Sequence, residues 1–524
     1  MRSHRLQGNM KKFTLSLAAL AFSAMSFAAL NPFAYGLKSE VSADNSEVTI
    51  SYSLNAEATS VKVVILNGET VVKTLDCADK GLVKGDYTVT VPAAELPANV
   101  DLTWKVEVTG AEVLAPTEYE VNYSLYHPSA VDIDNNPENS TFGLILTNEG
   151  MQKVKGVDGY ISTGYGAGIY AFTPAFEPIL NGENPGFNGG IEFTNGRADN
   201  SEATAYSPRR VRISDDGRIF VTSLNTDGNY LWEVNPENLD EWNPVFKGAN
   251  VNEYAEIVDA DGNFIVGPNC GFDVKGVGED LKLMMYSVNT RGITAAAMGG
   301  FKCAEYNLGV ATEWTAVPSK VWIDGLYAIN YSGTQVTYDN EGGVWVSSYR
   351  EKTNDSNPGL VHINANGEVD YVALLNYVRQ AGLRFNNDFT KMIVAGVKEG
   401  TVNPKKATIY TVSKDDAGKP VLTEDMVIDM ATLGNNLNDF AFDYAGNLYA
   451  VSNSGEKIVA WAMPHAADAV VATPAAKAYV LNLSPTTLVE NLELAPEVQK
   501  VVRNGQVLIL RDGKTFNMMG QEIR

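Results

Sequence analysis

The chain has 524 residues, 63 of them acidic and 40 basic, for a formal charge of −23. That length suits roughly three domains, or fewer if one is a large barrel or propeller, and a 45% hydrophobic composition with 24 Tyr, 19 Phe and 7 Trp excludes wholesale disorder. The acidity argues against nucleic acid and anionic membrane surfaces, which select basic patches, and three cysteines (Cys77, Cys270, Cys303) make no disulfide framework.

Residues 1–28 read as a secretory signal. Arg2, Arg5, Lys11 and Lys12 form a basic start, Phe13 to Met25 a short apolar run, and Ser26-Phe27-Ala28 a small-x-small cleavage pattern. The apolar run falls short of the ~20 residues that span a bilayer. No cysteine follows it before Cys77, which excludes a lipid-anchored lipoprotein. The expected product is secreted or held at the outer cell surface, with no inserted membrane segment.

From residue 29 to 124 the pattern is period-two alternation in short runs. Glu47 to Leu54 alternates cleanly, Val61 to Leu66 and Glu69 to Leu75 flank Asn67-Gly68, and Tyr87 to Val91 and Leu102 to Val108 add further strands. Asn-Gly between apolar runs signals a two-residue hairpin. Strands at this density without helical periodicity indicate an Ig-like β-sandwich. The stretch resembles the Ig-like domain family that includes the flagellar hook-cap type, on Asn31-Pro32-Phe33-Ala34-Tyr35-Gly36-Leu37, Val48 to Leu54, Ala58 to Val61 and Trp104-Lys105-Val106. The resemblance implies a spacer or assembly module, and Cys77 lacks the partner of the Ig-type disulfide.

Residues 125–465 carry a repeat: an apolar strand, an Asp/Asn turn with Gly, and a second apolar strand ending in a small residue. Val211 to Thr222, Val336 to Ser347 and Phe440 to Ser452 are clear copies; weaker ones begin at Val131, Ala255 and Leu383. Further strands follow each copy, as at Gly168 to Phe172, Tyr230 to Val234, Leu283 to Val288, Gly359 to Ile363, Ala407 to Val412 and Lys457 to Trp461. Four short strands per unit is the signature of propeller blades. Six copies predict six blades, with room for a seventh between Gly262 and Gly343. The looser pattern resembles NHL-like and lactonase-like six-bladed propellers, and Val131 to Gly143 resembles the opening blade of exported propeller proteins from Bacteroidota.

Ala466 to residue 493 reads as a linker or closing segment, and residues 494–524 as a terminal hairpin turning at Asp512-Gly513. Val501 to Arg524 resembles the end of type IX secretion sorting domains, which implies the secretion machinery as a partner. The expected fold is therefore all-β: an Ig-like sandwich, a six-bladed propeller and a short C-terminal hairpin.

Catalytic signatures are scarce. His127, His362 and His465 share no zinc-ligand spacing, and no nucleophile elbow, P-loop or dinucleotide fingerprint occurs. No catalytic or metal-ligating residue is assigned. Cys270 and Cys303 lie in or beside one blade and read as two core thiols or as a bridge formed on export. Propeller geometry offers a better lead, because inner strands converge on one channel. The residues just before them are Ser129, Arg209-Arg210, Tyr254, Thr334-Gln335, Ala381-Gly382 and Asn438-Asp439. Arg209, Arg210, Tyr254, Gln335, Asn438 and Asp439 are the expected ligand-binding set, suited to a glycan or a protein ligand. The plainer alternative pairs Arg210 with Asp439 across a solvated funnel. The leading reading is a non-enzymatic binding protein without a cofactor. The rivals are a calcium-assisted lactonase-like or lyase-type enzyme, using Asp439, Asn438, Glu253 or Asn252 as calcium ligands, and a purely structural surface component.

Overall fold

In the computed structural model, the description covers most of residues 29–482 and the strands of 499–523; residues 1–28, 151–166, 194–207, 224–230, 288–301, 310–319, 325–334, 348–358, 374–381, 397–404 and 483–498, with shorter stretches, fall outside it. Within it the protein is all-β, its helical content limited to short 3-10 turns such as Ala93–Glu95 and Gly278–Asp280. Among the described residues no helix is long and apolar enough to cross a membrane.

The N-terminal unit is a two-sheet sandwich. One sheet orders Ala34–Val41, Glu47–Leu54 and Gly85–Pro92; the other joins Thr70–Asp76, Ser60–Asn67 and Asp101–Thr109. Alternation does what period two requires: Val48, Ile50, Tyr52 and Leu54 face Val61, Val63, Ile65, Trp104, Val106 and Val108 in one core. The Asn67-Gly68 hairpin forms one residue later than its sequence suggests. Asn67 pairs with Thr70, so the turn is Gly68-Glu69, with Gly68 left-handed at φ 59°. A bulge between Ile65 and Leu66 accounts for the slip.

Six blades follow. Their inner strands are Val131–Ile133, Arg210–Ile213, Gly271–Lys275, Gln335–Tyr338, Leu383–Phe385 and Leu437–Phe442, and each touches its two neighbours until the last meets the first. The ring therefore closes at six, which settles the count among the described residues. The third blade differs from the sequence expectation. Ile257–Val258 and Phe264–Val266, in the copy beginning at Ala255, belong with Asn250–Val251 to a separate three-stranded sheet between blades 2 and 3. The Asp259-Ala260-Asp261-Gly262 segment between Ile257–Val258 and Phe264–Val266 lies outside the described residues.

Two domain boundaries also move. Thr117–Ser124, expected in the sandwich, pairs with Lys457–Ala462 as the outer strand of blade 6. The ring is thus closed by the chain's early residues against its late ones, so that blade 6 cannot form before both are present. Val470–Ala472, expected in a linker or closing segment, returns to the sandwich and pairs with Asp101–Thr109, as does Leu481–Asn482. The tail is a meander of four strands, not two: Gln499–Arg503, Gln506–Arg511, Lys514–Phe516 and Glu522–Ile523, with Arg511 paired to Lys514 on either side of Asp512-Gly513.

Sandwich and propeller are joined by a buried strap. Asn31 donates its backbone N–H to Asn447 Oδ1 (2.7 Å) and its side-chain amide to the Met463 carbonyl (3.0 Å), while Asn447 Nδ2 donates to the Asn31 carbonyl (2.9 Å) and to Asp443 Oδ2 (2.8 Å). Phe33, Phe142 and Tyr444 pack ring to ring beside it. Burial pushes the Asp443 carboxyl up to about 7, against the hydrogen bonds from Asn447 and the backbone. A carboxyl ordinarily near 4 but near 7 when folded holds its proton better in the native state. Its contribution is complete below about pH 4 and is lost as pH rises through 7. Urea unfolding should therefore show the wild type losing stability relative to Asp443→Asn between pH 4 and 7; a pH-independent difference would contradict this.

Candidate functional site

The channel is filled by charge. Each inner strand is apolar on its blade-facing positions, yet five of the six put a charged side chain on the axis: Asp132, Arg212, Asp273, Arg384 and Asp439, with Gln335 and Thr337 from blade 4. Arg212, with no solvent-exposed side chain, holds Asp439 through Nη1 at 2.7 Å and Nη2 at 3.2 Å, donates to Gln335 Oε1 at 3.2 Å, and lies 3.6 Å from Asp273. Arg384 reaches across the channel to Asp132 (2.6 Å) and Asp273 (3.0 Å). The same carboxylates also link the blades. Asp132 accepts from the Ile213 N–H (2.8 Å), Asp273 from Tyr338 N–H (2.9 Å) and Asp439 from Val131 N–H (3.2 Å), linking blade 1 to 2, 3 to 4 and 6 to 1.

The electrostatics follow from this packing. Burial raises the pKa of Asp132 even though Arg384 and Arg212 draw it down. Burial also opposes the charge on Arg384, but Asp132, Asp273 and Asp439 together hold its guanidinium above its ordinary pKa. A buried charge is tolerable only when paired and hydrogen-bonded, and these groups pair with one another, with Arg212 Nε left without a hydrogen bond.

The residues expected to bind ligand sit at the upstream ends of the inner strands, and those described are buried. Gln335 Nε2 donates to the Asn438 carbonyl (3.1 Å), and Asn438 Oδ1 accepts from the Asn453 N–H (2.9 Å). Arg210 donates to the Ser129 carbonyl, and the Arg209 carbonyl accepts from Ser129 Oγ (2.6 Å). The structure thus brings Gln335, Asn438 and Asp439 together, with Arg209 and Arg210 grouped around Ser129. Tyr254, Thr334, Ala381, Asn252 and Glu253 lie outside the described residues. The partner of Asp439 is Arg212 rather than Arg210, because alternation turns both Arg210 and Arg212 inward and Arg212 lies level with the Asp439 carboxylate. Arg212, Asp132, Asp273 and Arg384 were missed by sequence reasoning. The available signal was a charged residue in an otherwise apolar strand, two positions before the turn.

A cavity of about 580 Å³ opens at the opposite end, where the inner strands run into their turns. Its floor carries Arg384, Asp132 and Asp273; Lys275, Asn135 and Asn387 stand on its wall beside the aromatic faces of Phe389 and Tyr444. Asn135 Nδ2 is spent on the Phe442 carbonyl (2.7 Å) and on Asn387 (3.1 Å), whereas its buried Oδ1 has no hydrogen-bond partner. Phe389 has φ 58°, at the turn position where blades 2, 4 and 6 place Gly217, Gly342 and Gly446 (φ 80°, 87° and 78°). A bulky residue in the left-handed region costs about 1–3 kcal/mol. Lys275 Nζ lies 5.4 Å from its ring centroid and the Phe385 ring 5.3 Å away.

Cys303 is a buried free thiol against Met284 Sδ (3.4 Å), Cys77 is likewise free, and Cys270 lies outside the described residues. Among the described residues no group of three or more His, Cys, Asp or Glu side chains is arranged to hold a metal ion.

No family model matches this sequence, and no curated protein does. Solved structures similar to it include a luciferin-regenerating enzyme (12% identity, 58% of this chain and 85% of that one, TM-score 0.30). A protein of unknown function from Bacteroides thetaiotaomicron VPI-5482 gives 10% identity over 81% and 98% of the two chains, TM-score 0.35. A Trichoderma reesei carbohydrate-active enzyme of family AA12 gives 14% identity over 70% and 99%, TM-score 0.35. Likenesses this weak add nothing to what the strands show.

Removing one partner of a buried pair strands the other charge. Arg212→Met should lower the unfolding free energy by about 3–5 kcal/mol, read by urea denaturation. Lys414→Ala, which breaks only the exposed Lys414–Glu341 pair, should lower it by less than about 1 kcal/mol. Equal effects would mean that the axis contributes no more than the surface.

Proposed function

We propose that the propeller is a non-catalytic binding module that takes a polyhydroxylated ligand, a glycan, in the turn-end cavity, and that the leader at residues 1–28 carries it out of the cell. The observation that carries this reading is the composition of the cavity wall. Carboxylates and side-chain amides line it together with the partly exposed rings of Phe389 and Tyr444. A sugar presents the same combination, with hydroxyl edges around an apolar C–H face. A volume of about 580 Å³ lies within the range of small-ligand pockets, about 300–1,000 Å³.

The axial network supports a binding role. Its charged groups are committed to one another, so the floor is a fixed array of hydrogen-bonding atoms rather than a free acid or base. Only Arg384 among the two axial arginines keeps any solvent exposure, at 16% of its side chain. The sandwich, strapped to blade 6 through Asn31, buttresses the same cavity, because Tyr444 on its rim donates to the Ala472 carbonyl at 2.8 Å.

Thermal melts of the protein lacking residues 1–28, against a panel of soluble glycans and calcium, test the reading. A glycan at ~100 times its Kd should stabilise by about 2.7 kcal/mol. The shift should shrink in Lys275→Met and Asn387→Ala and persist in Lys73→Ala on the sandwich. No shift with any glycan would sink the proposal, and a shift with calcium alone would replace it with the enzymatic reading.

A further inference from the structure

A second cavity, of about 840 Å³, lies beside the first between blades 4 and 5. The two share a wall: Phe385 and Phe389 line both. The wall of the second cavity that faces blade 4 is built around His362, which is held at both ring nitrogens, Nδ1 by Asp370 (2.5 Å) and Nε2 by Asp339 (2.9 Å), and packs on Trp345 with ring centroids 4.6 Å apart. Close approach fixes this arrangement. A Cβ at Gly343 would meet Asp339 Oδ2 at 2.6 Å and His362 Nε2 at 2.8 Å, so only glycine fits. Glu368 stands on the same blade-4 side, and the opposite rim from blade 5 offers Lys419 and Ser413, a mixture of donors and acceptors like that of the first cavity. Lys275, on the wall of the first cavity, donates to the carbonyl of Asp339, whose carboxylate faces the second.

We infer that the two cavities are adjoining subsites of one groove for a linear oligosaccharide, with Phe389 as the platform between successive sugar units; this rests on the glycan reading of the first cavity. Two observations converge on Phe389. It is the side chain common to both walls that protrudes from a turn, and it occupies a left-handed position that three other blades give to glycine. A fold that merely needed the turn would use glycine there as well. The phenyl group is kept in spite of its backbone: it packs against the apolar core between blades 4 and 5 and leaves a partly exposed ring at the junction of two polar cavities.

The test is isothermal titration with cello-, xylo-, manno- and chito-oligosaccharide ladders of one to six units. For the ladder that binds, the tetrasaccharide should bind at least about 10-fold tighter than the monosaccharide, a difference of about 1.4 kcal/mol. That ratio should fall below about 3 in Phe389→Gly, which restores the residue of the other blades, and in the surface double variant Glu368→Ala/Lys419→Ala in the second cavity. A monosaccharide that binds with no gain in affinity for longer chains, or a gain that both variants preserve, would overturn the groove and leave the first cavity's reading standing. Failure of every ladder, monosaccharides included, would overturn both.

Discussion

The contact between Arg212 and Asp439 joins blade 2 to blade 6 across 227 positions of sequence, and the rest of the molecule is arranged so that it can exist. Two full charges without solvent on the axis would be prohibitive alone. They are tolerated because Gln335 and the backbone of Val131 bond to them and Asp273, held in the second pair with Arg384 and Asp132, lies 3.6 Å from Arg212 Nε, which makes no hydrogen bond. Apolar residues would pack the channel equally well, and replacing buried ion pairs by apolar side chains is often neutral or stabilising. What charge adds is register. Each axial aspartate bonds a backbone N–H of the neighbouring inner strand, so a one-residue slip in any blade would strand a carboxylate.

The two ends of the channel differ as a result. At the upstream ends Gln335, Arg210, Ser129 and the Asn438 oxygen are taken up by each other and by the adjacent backbone, while Asn438 Nδ2 is buried without a hydrogen bond. At the turn end the same strands open onto the cavity with Arg384 in its floor and aromatic rings on its rim. Binding needs a rigid array of donors and acceptors, and the buried network supplies one at no further loss of side-chain freedom. The strap at Asn31 and the returning strand Val470–Ala472 fix the sandwich against the blade whose turn carries Tyr444. Folding of the two domains and the shape of the cavity rim are therefore linked.

Much of the fold is legible in the sequence because alternation and turn chemistry are local. Glu47–Leu54 and Asp101–Thr109 read as half-buried strands, and Asp/Asn turns with Gly mark four of the six blades. The misreadings have the same cause. Ile257–Val258 and Phe264–Val266 read as blade strands but join another sheet, and Thr117–Ser124 alternates like a sandwich strand, since period two does not say which sheet a strand joins. The site was less legible. Arg212 and Asp132 stand in plain view within the repeats, but a charge in a strand reads as solvent-facing until the ring shows that its neighbours at that level are Asp439 and Arg384. Phe389 is informative only once its φ and the matching glycines are known.

The claim that organises this account is that ligand is taken at the turn end of the channel. Hydroxyl-radical footprinting with and without a saturating bound oligosaccharide tests it most directly, since Phe389 and Tyr444 are both partly exposed and oxidisable. The account predicts that Phe389 and Tyr444 become protected while peptides carrying Arg209 and Arg210 are unchanged. Protection confined to the upstream peptides, with Phe389 and Tyr444 oxidised as before, would contradict it.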